Sequence, residues 1–477
     1  MDPIKSIFAK VFLVMGVAVL FSMIPTSASA TTYYLSASGS DSNSGTSASA
    51  PWLSPNHSVN CGDQIIAAAS TSYSTSNFAF GHWGAVTGSG HCVAWLICAT
   101  FDACKISSTS GPAMGISASH WGVMGWEATS SGSTYPCFEA FASGGSTIRD
   151  IIFANDIANG CYGSGFTQPP NGSVGVDYFV VIASIAYNAA KESSECTSGF
   201  NSWEPVNYDT AAGTHIFYSQ DFAWGSVDPN PCAGTAPTDG EGFIFDTWDH
   251  SDTTNIPYTG QGVMENNISF FNGSSGLRVD ITTHAPVYIV NNTSYGNNGG
   301  PGLNSSWCGE IITQQSTGVI EYNNIARTNS STGCGSNPNY AYYLAVPNST
   351  NQVYSNVGYS ASGYNSSTSS ASGFSFGSGN VFGTDPSFVS APSSVPGPPS
   401  CSGASSVINC MAPIIADFRA QASQASGMGY QPVSNAPNSD PLFPQWLCTV
   451  NLPAGLVTMG CGADGPAPPT ALTIQVQ

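Results

Sequence analysis

The sequence predicts an all-β chain wound as a single-stranded right-handed parallel β-helix. Three observations predict it. Charged residues are scarce, at 8% of the chain, while 52 glycines and abundant Ser, Asn, Thr and Tyr interrupt every candidate helix. No long stretch carries a 3.6-residue apolar period, so helices are disfavoured. Short apolar strands recur at solenoid spacing, each broken by a polar bend that is often asparagine.

The recurring unit appears as Ile151–Ile157, Val180–Ile185, Val263–Phe270, Tyr288–Thr293, Val319–Ile325 and Val353–Val357. The residue following the bend falls at 157, 185, 268, 293, 325 and 357. The last three intervals are 25, 32 and 32 residues, and the wider gaps hold further coils or loop insertions. A propeller needs longer periods with several strands each. Stacked coils lie ~4.8 Å apart and bury their apolar side chains against one another. Asparagine suits each bend because it tolerates left-handed backbone angles and can bond to its counterpart in the next coil. These asparagines are therefore expected to be corner posts rather than catalysts. Ile268, Ile289 and Ile325 are expected to point into the shaft.

Residues 1–30 have the form of an export signal. Lys5 and Lys10 precede an apolar run from Val11 to Met23, and Ala28-Ser29-Ala30 offers small residues for cleavage. The run is short for a membrane span. A secreted chain, extracellular or periplasmic and free of the membrane after cleavage, is expected. The remaining divisions are a β-helix over 31–389, a Pro/Ser-rich loop over 390–406 and a C-terminal cover over 407–477.

Removal of Asp2, Lys5 and Lys10 with the signal turns eight basic and 28 acidic residues into six and 27, a formal charge of −21. Such a surface repels nucleic acid, anionic membranes and, without bridging cations, polyanionic glycans. The fourteen cysteines lie beyond the signal, without a C-x-x-C pair, and read as disulfides rather than metal ligands. Cys401 with Cys410, and Cys448 with Cys461, are close enough in sequence to staple the cover.

Three groups of segments carry a family resemblance. Tyr33–Asp41, continuing through Asn43–Thr46 to Pro51-Trp52, resembles the opening of secreted parallel β-helix proteins of the pectate-lyase-like superfamily. Asp239-Gly240-Glu241-Gly242-Phe243-Ile244-Phe245-Asp246 is similar to the D-G-x-G coil of that group, followed by Glu265-Asn266-Asn267-Ile268 and Gly276-Leu277-Arg278-Val279. Asp385–Val389 and Asp417–Gln421 resemble its closing turns. The resemblance implies the fold and a polysaccharide as partner, but the superfold hosts lyases, hydrolases, epimerases and binding modules alike. The chain departs from calcium-dependent pectate lyases where those carry an acidic cluster and then a lysine. Here the stretches read Asn272–Arg278, without a carboxylate, and Tyr295-Gly296-Asn297.

Charge concentrates at Asp239, Glu241, Asp246, Asp249 and Asp252, with Trp248 and His250 among them. Asp209, Asp221 and Asp228 precede this stretch; Arg278 and His284 follow it. Three chemistries compete. In a Ca²⁺-assisted lyase, Asp239 and Glu241 hold the ion, Arg278 removes the proton beside a uronate carboxylate, and Asp246 and Asp249 assist. In a hydrolase, two of Asp239, Glu241, Asp246 and Asp249 act as acid and base on a neutral glycan, with no metal. In a binding module, Trp203, Trp224, Trp248 and Trp307 stack on sugar rings. Trp248 and His284 are the expected substrate contacts, and the chain is expected to act as a monomer.

Overall fold

The computed structural model describes residues 30–132, 135–191, 196–229, 237–250, 256–303, 308–329, 333–334, 338–345, 350–361, 368–370, 376–431, 442–450 and 452–453. The signal segment, Asp252, Trp307 and Cys461 lie outside the described residues. Among the described residues, the chain from Thr32 onward winds through three long sheets of eleven, eleven and nine strands. Every strand pairing within these three sheets is parallel. The chain visits sheet 1, sheet 2 and sheet 3 in turn, as at Trp121–Met124, Trp126–Ser130 and Phe138–Ala140. This is a right-handed parallel β-helix, as the sequence predicted.

The corner between sheets 1 and 2 divides between two consecutive residues the two roles expected of one asparagine. The first adopts the left-handed conformation: Asn155, Ala183, Gln220, Asn266, Asn291, Asn323 and Ser355 all have φ between 52° and 60°. The second points inward and accepts the backbone N–H of its counterpart one coil earlier. Ser184 N–H donates to Asp221, Asp221 to Asn267, Asn267 to Asn292, Asn292 to Asn324, and Asn324 to Asn356, at 2.7–2.9 Å. The wide interval between 185 and 268 holds one extra coil, whose corner is Gln220-Asp221 instead of an asparagine pair.

The expected register holds for Ile289 and fails for Ile268 and Ile325. Ile289 packs in the shaft with Val287 and Met264. Ile268 and Ile325 are also buried, but on the outer face of sheet 2. Side chains alternate along a strand, and here the inward positions fall to small residues such as Ala186, Ala223 and Ala326. Ile268 packs instead in a cluster with Val407, Met411 and Phe418 of the C-terminal segment. The outer face of sheet 1 is covered in the same way: Ile152, Val180, Phe217 and Val263 lie against Leu442, Phe443, Trp446 and Leu447. One 11-residue helix, Val407–Asp417, belongs to this cover, and Ser406 Oγ caps it by accepting Asn409 N–H.

Contacts of the cover begin before residue 407, at Phe388, Ala391 and Cys401. Cys401 bonds to Cys410 as expected, and Cys61–Cys92, Cys98–Cys104, Cys137–Cys161 and Cys308–Cys334 are also bridged. Cys196 and Cys448 are disulfide-bonded as well. Among the described residues no helix is long and apolar enough to cross a membrane.

Candidate functional site

Sheet 3 has a polar outer face, and it carries the groove. Its strands repeat a five-residue pattern: a glycine, then an inward apolar residue, an outward residue, an inward residue and a second outward residue. Gly242-Phe243-Ile244-Phe245-Asp246 stacks on Gly276-Leu277-Arg278-Val279-Asp280. Gly199-Phe200-Asn201-Ser202-Trp203 lies on the other side of the first. The leading glycine is required by close approach: a Cβ at Gly242 would lie 2.0 Å from Ser269 Oγ, and one at Gly276 2.0 Å from Ser294 Oγ.

Two outward ladders result. One runs Glu139, Thr167, Asn201, Ile244, Arg278, Ile312, Tyr343. The other runs Trp203, Asp246, Asp280, Gln314. Over the Glu139–Asn201 part of the first ladder and the Trp203–Asp246 part of the second lies a groove of about 670 Å³, lined by Glu139, Thr197, Asn201, Trp203 and Asp246 among others, with Arg278 and Asp280 one strand beyond it.

Arg278 sits within the first ladder, between Ile244 and Ile312, 4% exposed. Its Nη1 donates to Glu241 Oε1 at 2.8 Å and to the Thr238 carbonyl at 3.0 Å; its Nη2 donates to Asp280 Oδ2 at 2.5 Å. Asp239 and Asp246 add their negative charge nearby, and with Asp280 and Glu241 they drive the guanidinium further above its ordinary value, against the effect of burial. The guanidinium nitrogens expected to act as a base thus already donate to two carboxylates and a carbonyl. Four carboxyl groups around one cation leave an excess of negative charge. Asp239, buried and close to Glu241, is pushed well above the usual carboxylate range. Burial pushes Asp246 up to about 6, with Asp280 and Glu241 adding to the rise and Arg278 opposing it.

The expected calcium ligands do not fit that ion. Glu241 is fully buried and both its oxygens are taken, Oε1 by Ser274 and Arg278, Oε2 by Ser198. Ca²⁺ requires six to eight oxygens, and here the guanidinium already occupies the place among the carboxylates that a cation would take. A different set, Asp177, Asp209 and His215, brings three ligand atoms within 4.8 Å. It is satisfied by its own hydrogen bonds: Asp177 accepts from Tyr258, Tyr178 N–H and Tyr208 N–H and contacts His215, while Asp209 accepts from Tyr178.

Of the other expected residues, Trp248 is placed away from any open surface, and Asp249 and His284 bind each other. Trp248 is fully buried in the shaft, its Nε1 donating to the Ser202 carbonyl, so its ring is closed to a sugar. Asp249 is bound by Thr283 Oγ1 and N–H and by His284 Nδ1 at 2.5–2.9 Å, which hold its carboxyl below the ordinary value although burial opposes them. Asp249 and His284 thus clasp two loops together.

Asp280 and Thr197 were not singled out by sequence reasoning. For Asp280 the signal was present: it ends a pentapeptide that matches the one ending in Asp246, and a single residue separates it from Arg278 on the same face. Its Oδ1 is buried without a hydrogen-bond partner among the described residues.

No family model matches the chain, and no curated protein resembles it in sequence. Among solved structures, the pectate lyase Pel9A is similar at 17% identity over 68% of this chain and 79% of that one, with a TM-score of 0.35. A rhamnogalacturonan lyase is similar at 12% identity over 76% and 91%, TM-score 0.32. The GH136 lacto-N-biosidase from Eubacterium ramulus is similar at 10% identity over 74% and 68%, TM-score 0.35.

Proposed function

We propose that the outer face of sheet 3 is the active groove of a secreted glycoside hydrolase, with Asp246 as proton donor and Asp280 as its carboxylate partner. The observation that carries this reading is their register. The two are direct partners on neighbouring strands, Asp280 is salt-bridged to Arg278, and Asp246 is pushed up to about 6. Unlike environments for two adjacent carboxyl groups separate an acid from a base. Asp246 would protonate the glycosidic oxygen as its bond to the sugar carbon breaks, while Asp280 on the next strand would stabilise the developing positive charge, or form a glycosyl ester as the leaving group departs that water then hydrolyses. Neighbouring strands lie ~4.8 Å apart, which favours the closer carboxyl spacing that retains anomeric configuration.

The lyase reading is weaker because its base, Arg278, is bound by acids on both sides. A binding module needs no carboxyl group with a displaced pKa. Disulfides and a negative surface fit an extracellular protein acting on an uncharged chain.

The test is a screen of the purified protein on polysaccharides, followed by Asp246→Asn. New reducing ends without unsaturated products are expected. The substitution should lower kcat by ~10²–10⁴-fold with little change in melting. Because the acid must carry its proton, activity should fall as pH rises through about 6. Unsaturated products, or full turnover by Asp246→Asn, would overturn the assignment.

A further inference from the structure

Two residues lining the groove carry polar atoms that the fold leaves without partners among the described residues. Asn201 Oδ1 and Thr197 Oγ1 are buried and have no hydrogen-bond partner among the described residues, yet both residues line the groove. Each residue is only 6% exposed. A buried acceptor without a donor destabilises a protein, and native structures keep few of them. Two in one cavity, beside the acid Asp246, point to a ligand that supplies the missing hydrogens.

The chemistry of that ligand follows from the lining. An amide oxygen only accepts, and a hydroxyl both accepts and donates, so the ligand must present O–H or N–H groups at this spot. A carboxylate offers acceptors alone. The lining includes Glu139 and Asp246 and no lysine or arginine, and the nearby Arg278 is spanned by Glu241 and Asp280. A uronate would find no counter-ion here. Trp203, 42% exposed and in register with Asp246, gives an indole face one strand away from the acid, suited to the apolar face of a sugar ring.

We infer that Asn201 and Thr197 are the specificity-determining residues of the groove, that Trp203 is its stacking wall, and that the occupant is a neutral glycan bound through hydroxyl or acetamido N–H donors, not a polyuronide. This rests on reading the groove as a glycan site, but not on hydrolysis taking place there.

The experiment titrates the Asp246→Asn protein, in which bound sugar is not consumed, with xylo-, cello-, manno- and chito-oligosaccharides and with oligogalacturonate, using calorimetry. At least one neutral series should bind, and oligogalacturonate should not. Asn201→Leu, close in volume but lacking the acceptor, should weaken binding at least tenfold while leaving Tm unchanged or raised, since it removes an unpaired buried group. Thr197→Val should act in the same direction, and Trp203→Ala should weaken binding with Tm unchanged. Tighter binding of oligogalacturonate than of every neutral series, or binding of none, overturns the inference. So does a lower Tm in both Asn201→Leu and Thr197→Val, which would mean that the two oxygens serve the fold. Should neutral sugars bind through these residues while the unsubstituted protein cleaves none of them, hydrolysis is refuted and this inference stands.

Discussion

At Arg278 one positive charge holds together two stretches of chain: Thr238–Glu241, through the Thr238 carbonyl and the Glu241 carboxylate, and its own strand, through Asp280. Its contribution is therefore to the ground state of the fold. Arg278→Ala should lower stability by ~3–5 kcal/mol, because buried Glu241 and Asp280 lose their counter-ion, and turnover should fall with it as Asp280 is released. Arg278→Lys should rescue only in part, since an ammonium cannot reproduce the planar fork that reaches both carboxylates. Denaturant unfolding beside turnover measures this; an inactive Arg278→Ala protein of unchanged stability would return the arginine to the role of base. Much of the candidate site was legible at this scale. Asp239, Glu241, Asp246 and Arg278 do converge, as scarce charges on successive coils suggested. Asp249, His284 and Trp248 do not, because neighbours in sequence point to different places once the strand ends after Asp246. Trp248 turns back into the shaft, and Asp249 leaves on a loop.

In the element that repeats, the corner, the αL residue and the ladder residue carry different costs. Asn324 accepts the N–H and Nδ2 of Asn292 and donates to the Ile289 carbonyl and to Asn356, all at 2.7–3.0 Å. Asn324→Ala should cost ~1–3 kcal/mol for each buried group it leaves unpaired. Asn323, half-buried with φ 57°, should tolerate glycine with little change in Tm, whereas a β-branched valine should cost ~1–2 kcal/mol for its left-handed backbone. Melting of the three variants ranks them, and an Asn323→Val protein as stable as the parent would remove the conformational argument. The sequence exposed this element through its Asn-Asn pairs. It concealed the coil at Gln220-Asp221, where aspartate accepts the same backbone N–H that an asparagine would. It also concealed which strand face points inward, since both faces of sheet 2 are apolar.

For the whole molecule, pH should act through carboxyl groups whose folded values are raised. Glu310 and Glu321 are both pushed from an ordinary 4.5 up to about 7 by burial. Burial and Glu127 bring Asp102 to about 6, and Asp246 reaches about 6 as well. In these groups the folded state keeps a proton that the unfolded chain releases, so their stabilisation is complete below about pH 4.5 and declines as pH rises towards 7. Asp150 and Asp249 act the other way. Despite burial, His120 and His91 hold Asp150 below its ordinary 3.8, and Thr283 and His284 do the same for Asp249, so that stability is lost as pH falls through that region. Tm should therefore peak in mildly acidic solution and decline towards pH 8, with the formal charge of −20 adding repulsion in the same direction. Glu321→Gln should flatten the decline. A Tm that rises steadily from pH 5 to 8 would contradict this account.

The sequence by itself determined the solenoid, its corner asparagines, a disulfide staple at Cys401–Cys410 and the stretch of chain that bears the charge. Each of these is local or periodic, so it is written in spacing and residue type. Only the tertiary structure decided which face stays open. The apolar outer faces of sheets 1 and 2 pack against residues near 442–450 and 388–418, contacts that join positions far apart in sequence and leave no periodic trace. Sheet 3 is polar outside, and there parallel stacking places Trp203, Asp246 and Asp280 side by side although 43 and 34 residues separate them. Coil length is set by loops of unequal size, and so the register that builds the groove exists only after the coils have stacked.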